Sequence, residues 1–138
     1  KDLKISYRER WHVQHWRTLL ACYNRSPYFE YYEPALKKFF DTKHIYLLEL
    51  NLASIQLIND LLGIKKTISL TDEYLKIPPA HTTDFRKKFN AENYGQDHNI
   101  FYLQPFEDKN GFVAGLSMLD MLFCTGKQAA DLLLKGQK

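Results

Sequence analysis

Apolar side chains recur every three to four residues along most of this chain, which is the spacing of an amphipathic helix. In the first such stretch Trp11, His15 and Leu19 fall on one face, so this helix has an aromatic stripe that includes a histidine. The stretch over 44–62 is apolar on nearly all sides, and a helix of that kind is normally buried by several neighbours. The pattern predicts helices over 7–23, 44–62, 117–124 and 127–135.

Residues that favour helix ends stand at the borders of these stretches. Ser6 with Glu9 has the spacing of a capping box, in which two side chains bind unpaired N–H groups of the first helical turn. Ser117 with Asp120 repeats that spacing. Gly126 can adopt the positive-φ conformation that ends a helix. We therefore interpret Asp120 as part of a helix cap rather than as a catalytic carboxylate.

An aromatic-rich segment lies between the first two of these helices. The Ser26-Pro27 pair favours a helix start, because serine is a good N-cap and proline suits the first helical position. Pro34 follows within the same segment, and proline inside a helix lacks an N–H and clashes with the preceding turn. The sequence therefore predicts a break at Tyr32-Glu33, with Pro34 in the first turn of a new helix.

Two short stretches alternate between polar and apolar or are rich in β-branched and aromatic residues. These features predict strands over 66–70 and 100–104. Parallel strands require a crossover connection, so strands that are separated by helices favour parallel pairing. The predicted fold is a helix-rich α/β single domain over 1–138 with two or three short parallel strands, and an all-α fold is the alternative.

Composition restricts the class of protein further. The 138 residues suffice for one domain with a substantial core, and a net charge of +3 without long runs of like charge gives no support for nucleic-acid binding. No apolar run approaches the length of a membrane span, so we predict none. Cys22 and Cys124 have no metal-ligand or disulfide-framework spacing, which favours a reduced, cytoplasmic protein.

The cluster around His15 is the best candidate for chemistry. His15 lies beside Trp11 and Trp16, and an imidazole in an aromatic cleft can act as a general acid or base. The alternative is a half-buried histidine that packs on tryptophan. His12 lies three residues from His15 without a third ligand, so we predict no metal site. No glycine-rich nucleotide-binding motif is present, and the sequence identifies no cofactor.

Two further sets of residues are candidate substrate-binding positions. Tyr23 and Tyr28 flank the corner between the first two helices, where stacked rings can support a sugar or a base. The alternative is a helix junction filled by aromatic rings. Ser69 and Thr71 lie at the carboxyl end of a predicted strand, where ligands bind in parallel α/β sheets.

Three segments together resemble the WbqC-like family of bacterial proteins, in order and spacing over nearly the whole chain. The loop 78–99 matches least. The segments are Trp11-x-x-x-His15-Trp16 followed by Tyr23 and Ser26-Pro27-Tyr28-Phe29; Leu50-Asn51-Leu52 through Gly63-Ile64 to Thr67; and Gly111-Phe112 followed by Leu116-Ser117-Met118-Leu119-Asp120-Met121-Leu122-Phe123 and Gly126.

The resemblance implies a function in bacterial surface-polysaccharide biosynthesis. Members are longer at the N-terminus, so this chain is expected to be the C-terminal part of such a protein. The implied activity is transfer of an aminoacyl or acyl group to an amino sugar or nucleotide sugar, with His15 as base. The alternative is a non-catalytic binding or scaffold protein. Expected partners are a sugar or nucleotide-sugar ligand and a second copy of the chain, which would dock on an apolar face that is left exposed.

Overall fold

The structure, a computed structural model, describes residues 2–86 and 100–135. Six helices contain about half of these residues, so the helix-rich part of the predicted fold is confirmed and the architecture fits the all-α alternative better than α/β. No helix in the described ranges is both long and apolar enough to cross a membrane. The helices are α1 (Trp11–Tyr23), α2 (Phe29–Asp41), α3 (Leu47–Leu62), α4 (Glu107–Asn110), α5 (Met118–Thr125) and α6 (Gln128–Lys135).

Helix α2 lies at the centre of the fold. It packs against α1, α3 and α5, and α5 in turn packs against α6. Its buried face carries Phe29, Tyr32 and Leu36, which recur at helical spacing. Phe123 of α5 meets Phe29 edge to face, with ring centroids 5.1 Å apart. The buried core comprises Trp16, Phe29, Tyr32, Leu36, Leu62, Met121, Leu122, Phe123 and Ala129.

The predicted break at Tyr32-Glu33 is wrong, because α2 continues through Pro34. Proline removes only the hydrogen bond to the carbonyl four residues earlier, that of Glu30. Glu30 and Pro34 are both exposed, so water can bind that carbonyl. Burial of Tyr32 and Leu36 in the core stabilises the helix on both sides of the proline.

The first helix begins at Trp11 rather than at residue 7. Arg10 takes a left-handed conformation with φ of 49°, and no side chain caps the helix. Tyr7 instead binds the chain near α3: its hydroxyl donates to the His44 carbonyl (3.1 Å) and accepts from the His44 N–H (2.9 Å). The side chain that helical periodicity would place on α1 is therefore used in a tertiary contact.

The prediction of strands over 66–70 and 100–104 is wrong. Neither segment forms a strand, and the only β pairing in the described part of the chain is an isolated antiparallel bridge between Lys4 and Tyr46. Residues 66–70 are exposed along their whole length. A strand needs a partner for its backbone groups, and alternation alone does not supply one. The parallel sheet expected from these two segments is therefore absent from the described residues.

Helix α3 is more exposed than its composition predicts. Among its residues only Leu62 is buried, because α3 packs mainly on α2. It ends at Leu62, as predicted, and Gly63 after it takes the left-handed conformation. Leu47 and Ile55 remain exposed, and the bridge to the N-terminal segment places Leu3 and Ile45, also exposed, near the start of the helix.

Candidate functional site

The structure does not bring the residues predicted from sequence into one site. His15 is exposed on α1, and its ring meets the Trp11 ring edge to face, with centroids 5.4 Å apart. The Trp11 indole donates a hydrogen bond to the Ser6 carbonyl (3.1 Å). Trp16 is buried in the core, where it stacks on Phe29 at 6.3 Å. His15 is thus exposed rather than enclosed by the two tryptophans.

Tyr23 and Tyr28, at the corner between α1 and α2, make different contacts. The Tyr23 ring packs on Phe123, with centroids 5.0 Å apart, and lies beside Asp120. The backbone N–H of Tyr28 donates to the Phe123 carbonyl (3.0 Å), and its ring lies against Gly126. Both residues therefore support the packing of α5 on the corner between α1 and α2.

The other two predicted binding residues lie elsewhere. Ser69 and Thr71 are exposed in a segment without regular structure. Thr71 lines a separate cavity with Tyr74 and Arg86. The sheet edge that motivated their selection does not form, so the structural reason for placing a ligand there no longer applies.

A cleft lies between the end of α1, the corner before α2, the segment before α4 and the end of α5. Its volume is about 540 Å³, within the range of small-molecule sites. Sequence reasoning missed it, because its walls are far apart along the chain. It is lined by Ala21, Cys22, Asn24, Arg25, Ser26, Pro27, Leu103, Gln104, Pro105, Phe106, Lys109 and Cys124.

One wall of the cleft is held by a buried glutamine. The Gln104 side chain donates from Nε2 to the Val113 carbonyl (2.8 Å) and accepts from the Val113 N–H at Oε1 (2.8 Å). The Gln104 N–H donates to the Glu107 carboxylate (3.1 Å). An amide side chain thus makes the paired bonds that a strand partner would make, which explains why 100–104 docks without forming a sheet.

Asp120 lies behind the cleft, where it is only 2% exposed. Its carboxylate accepts a hydrogen bond from the Tyr102 hydroxyl (2.7 Å) and interacts with the Tyr23 hydroxyl. Burial, reinforced by this carboxylate, raises the pKa of both phenols well above the ordinary value. Both remain neutral hydrogen-bond donors. The sequence interpretation of Asp120 as part of a helix cap is wrong, since the helix has no side-chain cap bond and the carboxylate has tertiary partners instead.

Cys124 faces the cleft as a protonated thiol. Burial, with a contribution from Asp120, raises the pKa of the Cys124 thiol to about 12. The thiolate is the nucleophilic form of cysteine, and nothing in this environment stabilises it. The cleft therefore does not activate Cys124 for covalent catalysis.

We expect thermal stability to fall as pH rises from 9 toward 12, in part through Cys124. In the unfolded chain this thiol ionises near its ordinary pKa of 9.0, whereas the folded protein retains the proton until about 12. The unfolded state is therefore favoured progressively across that window, and the contribution is fully present below it. Differential scanning calorimetry under reducing conditions should show a shallower alkaline decline for Cys124→Ala. Equal slopes for the two proteins would contradict this assignment.

Among the described residues that line the cleft, the charged side chains are both positive. They are Arg25 and Lys109, and no aspartate or glutamate in those ranges lines it. Neither forms an ion pair with a residue in the described ranges. The Ser26 hydroxyl also lines the cleft and is buried without a hydrogen-bond partner among the described residues. Two cations that form no ion pair within the described part of the chain favour an anionic ligand, because guanidinium and ammonium groups bind phosphate and carboxylate oxygens.

A family-model comparison finds a match for the WbqC-like protein family over residues 1–100. The matched range contains Arg25 and the corner between α1 and α2, whereas Lys109 and α5 lie beyond it. No curated protein and no solved structure matches this sequence. Because the match covers most of the 138 residues, this chain belongs to the WbqC-like protein family.

Proposed function

We propose that this protein binds a phosphate-bearing sugar, such as a nucleotide sugar, in the cleft between Arg25 and Lys109. We further propose that the protein is a group transferase, which moves an aminoacyl or acyl group to an amino sugar in surface-polysaccharide biosynthesis. The observation that supports it is the charge of the described lining residues: they include two cations without an ion-pair partner in the described ranges, and no carboxylate. A neutral sugar would not require that arrangement, whereas a diphosphate would use both cations.

In this reaction a bound amino sugar is the acceptor of the transferred group. Its free amine attacks the carbonyl of an activated donor, the bond from that carbonyl to the leaving oxygen or sulfur breaks, and a base accepts the amine proton. The cleft contributes binding and orientation, which alone can supply much of the rate enhancement. Tyr23 and Tyr102, whose phenol pKa values are raised, suit hydrogen-bond donation rather than proton abstraction. His15 stays the candidate base, although it stands outside the cleft lining.

A second candidate function is non-catalytic binding within the same pathway. It is favoured by the unactivated thiol of Cys124 and by the exposed apolar residues Leu3, Ile45 and Leu47 around the start of α3. That surface suits a protein partner, and a second copy of this chain stays the predicted occupant. Ligand binding without product formation would identify this function, and sedimentation of the full chain would give its oligomeric state.

We expect Arg25→Gln and Lys109→Gln each to weaken binding of UDP-N-acetylglucosamine by about tenfold, as for loss of one charge-assisted hydrogen bond. Isothermal titration calorimetry on the full chain measures this directly. N-acetylglucosamine, which lacks the phosphates, should bind more weakly than the nucleotide sugar to the unaltered protein. Its affinity should change little in either variant, because the cations contact the phosphates.

Matched controls are Arg17→Gln and Lys38→Gln, which remove exposed cations that do not line the cleft. Both should retain the affinity of the unaltered protein. Equal binding by all four variants would mean that the phosphates do not lie between Arg25 and Lys109. Mass spectrometry of an amino-sugar nucleotide incubated with protein and an aminoacyl or acyl donor then separates transferase from binding protein.

A further inference from the structure

Two further cavities share lining residues with each other and none with the Arg25–Lys109 cleft. Their volumes are about 320 and 350 Å³, and Tyr31, Tyr32 and Lys127 line both. One continues toward Asp60 and Gly63 at the end of α3. The other is completed by Tyr28, Thr125 and Gln128 at the junction of α5 and α6. We call this pair the tyrosine–lysine site.

Two of its tyrosines differ sharply in exposure. Tyr31 is 67% exposed, whereas Tyr32 is only 2% exposed and belongs to the core. Their rings meet edge to face, with centroids 4.9 Å apart and planes at 89°. The buried ring therefore restrains the exposed one, which reduces the entropy lost when a ligand packs on it. The Tyr32 side chain belongs to the core and lines both cavities.

Tyr28 forms the other aromatic wall and is held in place. Its backbone N–H binds the Phe123 carbonyl, and its ring lies so close to Gly126 that a Cβ there would be 2.8 Å from ring carbons. The ring is nevertheless 41% exposed on its other side. Such a ring is apolar on its face and polar at its hydroxyl, so it suits ligands that are partly apolar and rich in hydroxyl groups.

The charges in the site are separated. Lys127 lines both cavities and forms no ion pair with a described residue. Asp60 lines only the cavity near Gly63, and it accepts a hydrogen bond from Gln56 (2.7 Å). The described residues that line the cavity with Tyr28 and Gln128 include a cation and no carboxylate. A ligand with an acidic group at one end and hydroxyls at the other matches this polarity.

We propose that the tyrosine–lysine site binds a pyranose ring that carries an acidic group, such as a uronate. The sugar packs its C–H face on Tyr31, because the positively polarised C–H bonds meet the negative face of the aromatic ring. Lys127 binds the acidic group, and the carboxylate of Asp60 accepts hydrogen bonds from ring hydroxyls at the far end. The site is independent of the Arg25–Lys109 cleft and of the function proposed for it.

A nucleobase fits the same residues less well. A base is flat on both sides and is usually held on an aromatic face or between parallel walls. Tyr31 and Tyr32 are perpendicular, so they cannot form two parallel walls. The hydroxyls and acidic group of a sugar also use Asp60 and Lys127, which a base alone would leave unsatisfied.

The test uses methyl β-D-glucuronide, methyl β-D-glucoside and adenosine as probes of the full chain, with dissociation constants measured by NMR titration. We expect the glucuronide to bind most tightly, the glucoside less tightly and adenosine most weakly. Tyr31→Ala should weaken glucuronide binding by about tenfold, as expected for loss of one aromatic contact. Tyr31→Phe retains the ring and should therefore keep most of the glucuronide affinity of the unaltered protein. Lys127→Gln should weaken glucuronide binding by about fivefold and leave glucoside binding unchanged.

Tyr74→Ala is the matched control, because this tyrosine is exposed and lies in another cavity. It should bind all three probes as the unaltered protein does. The proposal is overturned if glucuronide causes no saturable shifts, if adenosine binds best, or if Tyr31→Ala binds as tightly as Tyr74→Ala. Because Arg25→Gln leaves this site untouched, glucuronide binding that persists in that variant separates the two sites experimentally.

Discussion

Asp120→Ala should lower the free energy of unfolding by about 4 kcal/mol, because it removes the buried acceptor of two phenols at once. The Asp120 carboxylate is 2% exposed, accepts from Tyr102 at 2.7 Å and lies beside the Tyr23 hydroxyl. Alanine would remove the charged acceptor of both hydroxyls, which lie in a poorly hydrated space. Urea denaturation followed by circular dichroism measures the change.

Two variants separate the loss of hydrogen bonds from a general effect of removing a carboxylate. Tyr102→Phe removes a single donor and should cost about 1–2 kcal/mol. Asp131→Ala alters an exposed aspartate on α6 and should change stability by less than about 0.5 kcal/mol. If Asp120→Ala were no more harmful than Asp131→Ala, the carboxylate would not be an essential acceptor behind the cleft.

Local patterns predicted the helices but not their tertiary contacts. The end of α3 at Gly63 and the start of α5 after Ser117 agree with the sequence, because both depend on residues close along the chain. Tyr7 instead binds the backbone of His44, 37 residues away, and α1 starts later as a result. Periodicity contains no information about a partner at that separation.

The strand predictions failed for a related reason. Residues 66–70 and 100–104 have suitable side chains, but a strand forms only where a second backbone is available. Residues 100–104 are secured by side chains instead, through the Gln104–Val113 pair and the Tyr102–Asp120 bond. Glutamine in an apolar stretch was the available signal, since a buried amide must have partners.

The candidate site was the least predictable part of the molecule. The sequence drew attention to His15 because tryptophans surround it locally, yet the cleft is formed by Arg25, Lys109 and Cys124, which are remote from one another in sequence. The spacing of Asp120 from Ser117 suggested a local cap, whereas its carboxylate binds Tyr102 and Tyr23. The sequence also drew attention to the aromatic corner, where Tyr23 packs on Phe123 and Tyr28 lines the tyrosine–lysine site.

Gly126→Ala should lower the free energy of unfolding by about 3 kcal/mol, through backbone strain and a steric clash. Gly126 has φ of +61°, which L residues rarely adopt, and an added Cβ would lie 2.8 Å from the Tyr28 ring. Gly63→Ala has a similar φ of +70° but meets no atom within 4 Å, so it should cost only about 1 kcal/mol.

A double-mutant cycle isolates the clash from the strain, because Tyr28→Ala opens the space beside residue 126. Gly126→Ala should cost about 1–2 kcal/mol less when introduced into Tyr28→Ala than into the unaltered protein, since overpacking is relieved and only the backbone term remains. Thermal and urea unfolding of the four proteins give this coupling energy. Strict additivity would show that the Tyr28 ring does not rest on Gly126. It would then also remove the argument that this ring is a fixed wall of the tyrosine–lysine site.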